Sequence, residues 1–114
     1  MLDEAARLLD DPIVAVATGE SRTAIGVIRL SGPAGRIDAV LGRCVRLHSS
    51  YPLVAGRVRR FDLLDPATGE AIDEGLLLRF EAPRSYTGED VVELSLHGNP
   101  VLLELGLEAL QSAG

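Results

Sequence analysis

A chain of 114 residues is long enough for one domain, and its 46% hydrophobic content favours a packed globule over a disordered segment. Only 4% of the residues are aromatic and the formal net charge is -6, which argues against direct nucleic-acid binding by this chain because basic patches and stacking platforms are both missing. The single cysteine, Cys44, excludes an internal disulfide and fits a reducing, cytoplasmic setting, with a buried thiol on a helix as its expected role. No segment is apolar over a length that could span a bilayer, and the acidic start is unlike a signal peptide.

The first part of the chain is predicted to hold an extension and two strands. Residues 1–11 have a short amphipathic helical pattern and are expected to form an N-terminal extension, whereas the domain itself is expected to span residues 12–114. Apolar runs predict strands over residues 13–18 and 24–31, with a polar loop over residues 19–23 between them.

A helix and a hairpin are predicted next. The apolar spacing of residues 34–45 predicts a helix. Its apolar face consists of Ile37, Val40, Leu41 and Cys44. Residues 48–56 are predicted to form a loop, in which His48 is expected to be a surface residue. Strands are predicted over residues 58–64 and 71–81, and the acids around their hairpin loop lack the regular spacing of a calcium site.

The chain is organised around a strand predicted over residues 91–97, which turn residues at Thr87 and Gly88 precede. Alternation along this strand predicts two faces. The face expected in the core consists of Val92, Leu94 and Leu96. The polar face, expected to line a cleft, consists of Glu93, Ser95 and His97.

A final helix is predicted over residues 101–112, with Asn99 as its N-cap and Pro100 at its first position. The helix is apolar nearly all round, so it is expected to be more buried than a surface helix, against this domain or another domain or subunit. The resulting element order predicts an α+β fold, with a small mixed or antiparallel sheet and helices packed on one of its faces.

Arg29 interrupts an otherwise apolar strand, and two interpretations of it stay open. In the first, Arg29 lies at a strand end, with its stem on the core and its guanidinium in water. In the second, the guanidinium binds an anion or pairs with a carboxylate inside a site.

Several catalytic patterns are absent from the sequence. The chain has no Gly-x-x-x-x-Gly-Lys-[Ser/Thr] phosphate loop and no lysine, so it cannot be a P-loop nucleotide hydrolase by itself. It also lacks zinc-ligand spacing and a Gly-x-Ser-x-Gly elbow. Glu93 and His97 share a strand face but lie about 13 Å apart at the usual rise per residue, too far for a dyad. The sequence therefore predicts neither a catalytic residue nor a metal site.

Three segments are specific in combination: Ile-Val-Ala-Val-Ala-Thr at 13–18, Ala-Ile-Gly-Val-Ile-Arg-Leu-Ser-Gly at 24–32, and Tyr-Thr-Gly-Glu-Asp-Val-Val-Glu-Leu at 86–94 with His-Gly at 97–98. Together they resemble the N-terminal domain of the tRNA-modification GTPase family MnmE, also called TrmE. The resemblance extends from about Asp11 to the end of the chain.

The resemblance implies a folate-binding fold similar to that of an aminomethyltransferase, a 5-formyltetrahydrofolate ligand, and a homodimer formed through this domain. The folate contacts of the family carry over to Arg29 and Glu93. For the full-length protein it implies GTP hydrolysis with magnesium and potassium, and modification of the wobble uridine of tRNA at C5 with an MnmG-like flavoprotein, in the cytoplasm.

Two alternatives belong to other classes of protein. One is a lobe of a folate-dependent aminomethyltransferase-like enzyme, for which the rest of the coding sequence would have to supply a catalytic acid and no phosphate loop. The other is a non-catalytic interaction module that docks a partner through the apolar final helix.

Overall fold

A computed structural model of the chain describes residues 13–16, 25–50, 53–85 and 88–114. The expected N-terminal extension, the loop over 19–23 and the turn residue Thr87 lie outside these described residues.

Within the described residues, six strands form one sheet and two helices pack against it. The strands are β1 (Ile13–Val16), β2 (Ile25–Gly32), β3 (Val45–Leu47), β4 (Arg59–Leu64), β5 (Ala71–Phe80) and β6 (Asp90–His97), and the helices are α1 (Ala34–Cys44) and α2 (Pro100–Ala113). The strand order is β1-β2-β6-β5-β4-β3, and every neighbouring pair is antiparallel. The predicted α+β class is confirmed.

Strand β3 was not predicted. Val45 was assigned to the end of the helix, but α1 ends at Cys44 and Val45 begins the new strand, directly opposite Leu63 of β4. The backbone N–H of His48 continues the pairing by donating to the carbonyl of Arg60 at 3.0 Å. Pairing with β4 therefore makes residues 45–47 a strand, although their own short apolar pattern does not predict one.

Both helices begin where their sequences predict, but only α1 packs as predicted, because α2 leaves Val101 and Leu105 exposed and is not more buried than a surface helix within this chain. In α1 the buried residues are the four expected ones: Ile37, Val40, Leu41 and Cys44. Helix α2 begins at Pro100, and the side-chain oxygen of Asn99 accepts a hydrogen bond from the N–H of Val101 at 2.9 Å. This cap satisfies a backbone donor that has no partner inside the helix.

The core lies between the two helices and one face of the sheet. Alternate residues of the central strands point into it, namely Ile28, Leu30, Val92, Leu94, Leu96 and Leu77. Gly106 of α2 allows this packing to be close, because a Cβ at that position would lie 3.1 Å from both Ile28 and Leu63. On the outer side of α2, Val101 is 63% exposed and Leu105 is 44% exposed, so their burial requires a partner outside the described residues.

Cys44 is a core residue, as predicted. Its Sγ atom lies 3.4 Å from the carbonyl oxygen of Ala109 on α2. Burial, assisted by the negative charge of Asp65, raises the pKa of the Cys44 thiol to about 11. The thiol is therefore protonated at neutral pH. Because the thiolate is the reactive form of cysteine, we assign Cys44 a packing role and not a nucleophilic one.

Within the described ranges, no helix combines the length and the apolar character that crossing a membrane requires.

Gly75 of β5 is predicted to be essential for the central pairing with β6. A Cβ at this position would lie 1.9 Å from the backbone carbonyl oxygen of Ser95, a contact that only backbone movement can relieve. We expect Gly75→Ala to lower the free energy of unfolding by about 2 kcal/mol or more, measured by urea denaturation. The matched control is Gly42→Ala in α1, where a Cβ meets nothing within 4 Å and the change should stabilise the helix by about 0.5–1 kcal/mol. Equal effects of the two substitutions would contradict this account of Gly75.

Candidate ligand-binding face

The face of the sheet opposite the helices is called here the open face. It is defined by the residues that alternate with the core positions: Ala15, Ile25, Val27, Arg29, Arg46, Asp62, Glu74, Leu76, Leu78, Glu93, Ser95 and His97. None of these side chains belongs to the buried core, whereas Ser31 and Val91, which alternate in the same way at one end of β2 and β6, are buried.

Arg29 and Glu93 form an ion pair at the centre of the open face. The two residues are direct partners in the register of β2 and β6. The guanidinium donates to Oε1 of Glu93 from Nη2 at 2.9 Å and from Nε at 3.3 Å. The Arg29 side chain is 35% exposed and that of Glu93 is 19% exposed. Arg29 therefore lies in the middle of its strand and not at a strand end, and its guanidinium pairs with a carboxylate, whereas its place inside a binding site stays a prediction.

A row of four residues runs across the sheet through this ion pair. Ala15 of β1 lies opposite Arg29, and Leu78 of β5 lies opposite Glu93. The pair is thus flanked by a small apolar residue on one side and a half-buried leucine on the other. An ion pair this exposed contributes at most about 1 kcal/mol to stability, so stability alone is a weak reason for placing two charges here.

The polar row of β6 divides between two surroundings. Ser95 and His97 line a cavity of about 290 Å³, together with residues of β4 and β5 and with Ile25, whereas Glu93 is not among its lining residues. The expectation of one cleft along Glu93, Ser95 and His97 therefore holds only for the last two. The cavity and the ion pair are neighbouring features of one face.

His97 and Glu93 have separate partners, in agreement with the prediction that they do not form a dyad. Nδ1 of His97 lies 2.7 Å from Oδ1 of Asp73, whose side chain is only 8% exposed. The backbone N–H of His97 donates to Oδ2 of the same carboxylate at 3.0 Å. Asp73 thereby orients an exposed imidazole. The sequence pointed to His97 but not to Asp73, because the two are brought together only by strand pairing.

Arg79 is a buried charge that the sequence analysis missed. It points to the helix side of β5, where its guanidinium pairs with Asp38 of α1 and with Asp90 of β6 at 3.0 Å. Burial alone would lower the pKa of Arg79, but the hydrogen bonds that its guanidinium donates to Asp38 and Asp90 raise it. The pKa of Asp90 is lowered by the backbone N–H of Ala82 and by Arg79. These contacts tie α1 to the sheet, so we interpret Arg79 as structural.

The sequence profile of the family described as GTP-binding protein TrmE N-terminus matches residues 12–114. This chain belongs to that family. A tRNA modification GTPase MnmE of Thermus thermophilus is 47% identical to this TrmE N-terminal domain over 106 residues, which cover 93% of the chain and 24% of the relative. The proteins of the same name from Aquifex aeolicus and Methylibium petroleiphilum are 43% and 50% identical, over 91% and 83% of the chain.

The chain spans only about a quarter or less of the length of these relatives: 24%, 22% and 19%. The family and the relatives' names agree with the resemblance that the sequence motifs indicated.

The Arg79 contacts of this TrmE N-terminal domain generate a stability prediction. We expect Arg79→Leu to lower the free energy of unfolding by about 3 kcal/mol, because it leaves the carboxylate of Asp90 buried without its cation. Asp38→Asn is the control, since the Asp38 side chain is 60% exposed and its loss should cost less than about 1 kcal/mol. Chemical denaturation of the two variants measures both values. A loss from Arg79→Leu no larger than that from Asp38→Asn would refute the structural role of Arg79.

Proposed function

We propose that this chain is the N-terminal domain of a tRNA modification GTPase, that it binds 5-formyltetrahydrofolate at Arg29 and Glu93, and that it mediates homodimerisation. The observation that carries the ligand proposal is the direct pairing of these two residues on the sheet face opposite the two described helices. Membership in the TrmE N-terminal family and relatives named tRNA modification GTPase support the wider assignment.

The chemistry of Glu93 suits the pterin end of a folate. A carboxylate can accept two parallel N–H bonds from the amide edge of the pterin ring. The two hydrogen bonds that Arg29 donates to Glu93 both fall on Oε1, and neither uses Oε2. Arg29 would therefore hold the carboxylate in place while Oε2 accepts from the ligand.

The chemistry of Arg29 and its apolar neighbours suits the remainder of such a ligand. A guanidinium can hold a formyl oxygen or a carboxylate through two donors. Leu78 lies next to Glu93 in the row across the sheet, and Val27 lies on the same face of β2. These side chains would provide an apolar surface against which a flat ring can lie, as ligand sites commonly do.

We propose that the enzymatic activity of the full-length protein depends on segments outside this domain. GTP hydrolysis with magnesium and potassium requires a phosphate-binding loop, and this chain has no such sequence. The proposed role of the full-length protein is modification of the wobble uridine of tRNA at C5, in the cytoplasm, with an MnmG-like flavoprotein as partner. This domain would contribute the one-carbon carrier site and the dimer contact.

A specific observation favours self-association through the open face. Ile25 is 58% exposed and Leu76 is 47% exposed, and both line the cavity on this face. Large apolar side chains grouped on one surface are typical of protein contacts. A second copy of the chain placed there would bury them.

The folate proposal predicts that binding depends on the ion pair. In isothermal titration of 5-formyltetrahydrofolate, we expect Glu93→Gln and Arg29→Ala each to weaken binding by at least about tenfold, because each removes charge-assisted hydrogen bonds. Circular dichroism would verify that both variants fold.

The matched control is Arg46→Ala. Arg46 also pairs across strands on the open face, with its Nη2 2.7 Å from Oδ2 of Asp62, but it lies towards the far edge of the sheet. This variant should bind with the affinity of the unmodified chain. Unchanged binding by Glu93→Gln and Arg29→Ala would remove both residues from the site.

The dimer proposal predicts a face-specific response in sedimentation equilibrium. The unmodified chain should sediment with twice the mass of one chain, and Leu76→Glu should sediment as a monomer because it places a charge on the open face. Val101→Glu, at the exposed side of α2, should remain dimeric. The reverse result would assign the contact to α2, and a strictly monomeric unmodified chain would contradict dimerisation altogether.

A further inference from the structure

Three potential metal ligands meet on the open face away from the Arg29–Glu93 pair. His48 follows β3, Asp62 lies in β4 and Glu74 lies in β5. One ligand atom from each of the three residues lies within 4.8 Å of the other two. The sequence predicts a surface position for His48 and no metal site, since the three residues are neither adjacent nor regularly spaced.

We propose that His48, Asp62 and Glu74 bind one divalent transition-metal ion, with Zn²⁺ as the type example. Imidazole nitrogen and carboxylate oxygen are both donors that zinc accepts, and three protein ligands leave a position open for water. Two donors at about 2.1 Å from one zinc ion lie about 3.4 Å apart at the tetrahedral angle. The present distances run from 2.7 Å, between Nε2 of His48 and Oδ1 of Asp62, to no more than 4.8 Å within the group. Binding an ion would therefore require His48 and Asp62 to move slightly apart and Glu74 to move closer.

The pairing of the strands gives a physical reason for a cation at this place. Asp62 and Glu74 are direct cross-strand partners, so two carboxylates face each other on one side of the sheet. Like charges in this position destabilise a sheet. Within the described part of the chain, the Glu74 carboxylate accepts no hydrogen bond, and a bound cation would neutralise it.

The contacts of Asp62 prepare one of its oxygens for a metal ion. Arg46 donates to Oδ2 of Asp62 from Nη2 at 2.7 Å and from Nε at 3.3 Å. Oδ1 lies 2.7 Å from Nε2 of His48, and these are the two atoms that would bind the ion. Arg46 thus acts as a positioning residue for a ligand, as outer partners do in many metal sites.

The surroundings allow an ion to enter and also limit its affinity. His48 and Glu74 both line the cavity of about 290 Å³, which gives room for the water molecules that complete the coordination. Arg60 lines the same cavity, and its positive charge opposes a cation. We therefore expect a site of modest affinity that holds one ion per chain.

Calorimetric titration of Zn²⁺ into the purified, untagged chain tests this site. We expect one Zn²⁺ per chain, and we expect His48→Ala and Glu74→Gln each to weaken binding by at least about tenfold. The matched control is His97→Ala, since His97 forms the same kind of pair with Asp73 at the same 2.7 Å distance but is not part of the three-ligand group. It should bind Zn²⁺ within about twofold of the unmodified chain, a difference well below the effect of losing a ligand.

A second measurement locates the ion independently of the variants. Co²⁺ added to the ¹⁵N-labelled chain should broaden the amide signals of residues 48, 62 and 74 before those of residues 29 and 93. Absence of Zn²⁺ binding by the unmodified chain would overturn the proposal and leave an ordinary ion pair. Full binding by His48→Ala and Glu74→Gln, or an equal loss in His97→Ala, would overturn the assignment as well.

Discussion

The pairing of β2 with β6 is the constraint on which the rest of this molecule depends. Its register places Ile28 opposite Leu94 on the helix side and, one residue further along β2, Arg29 opposite Glu93 on the open side. Because alternate side chains of a strand point to opposite faces, one set of backbone hydrogen bonds positions both the core and the ion pair. The two described helices pack on one side of this pairing, and the proposed ligand contacts lie on the other.

Much of this architecture follows from local sequence patterns. The buried face of α1, the cap at Asn99 and the alternation along β6 were all predicted, because each depends on residues within a few positions of one another. Strand β3 was missed because three residues carry too little periodicity to indicate a strand. Residues 45–47 form a strand because they pair with β4.

The candidate site was predictable only in part, for a similar reason. Arg29 stood out as a charge in an apolar run and Glu93 through the family motif, and the structure brings these two together across 64 positions of sequence. The partners of His97 and Arg79 could not be anticipated, since Asp73 and Asp38 lie 24 and 41 positions away. Such contacts depend on the order of strands in the sheet, which local periodicity does not determine. The group of His48, Asp62 and Glu74 depends on it in the same way.

The lengths of the outermost strands restrict how these domains can associate. The sheet ends in β1 and β3, which have four and three residues in the described part of the chain. The β3 edge offers an incoming strand few backbone hydrogen-bonding groups, and Arg46 adds a charge in the middle of this strand. Fibril-like growth by strand addition is therefore disfavoured at β3, and a concentrated solution of this domain should be protected against aggregation through that edge.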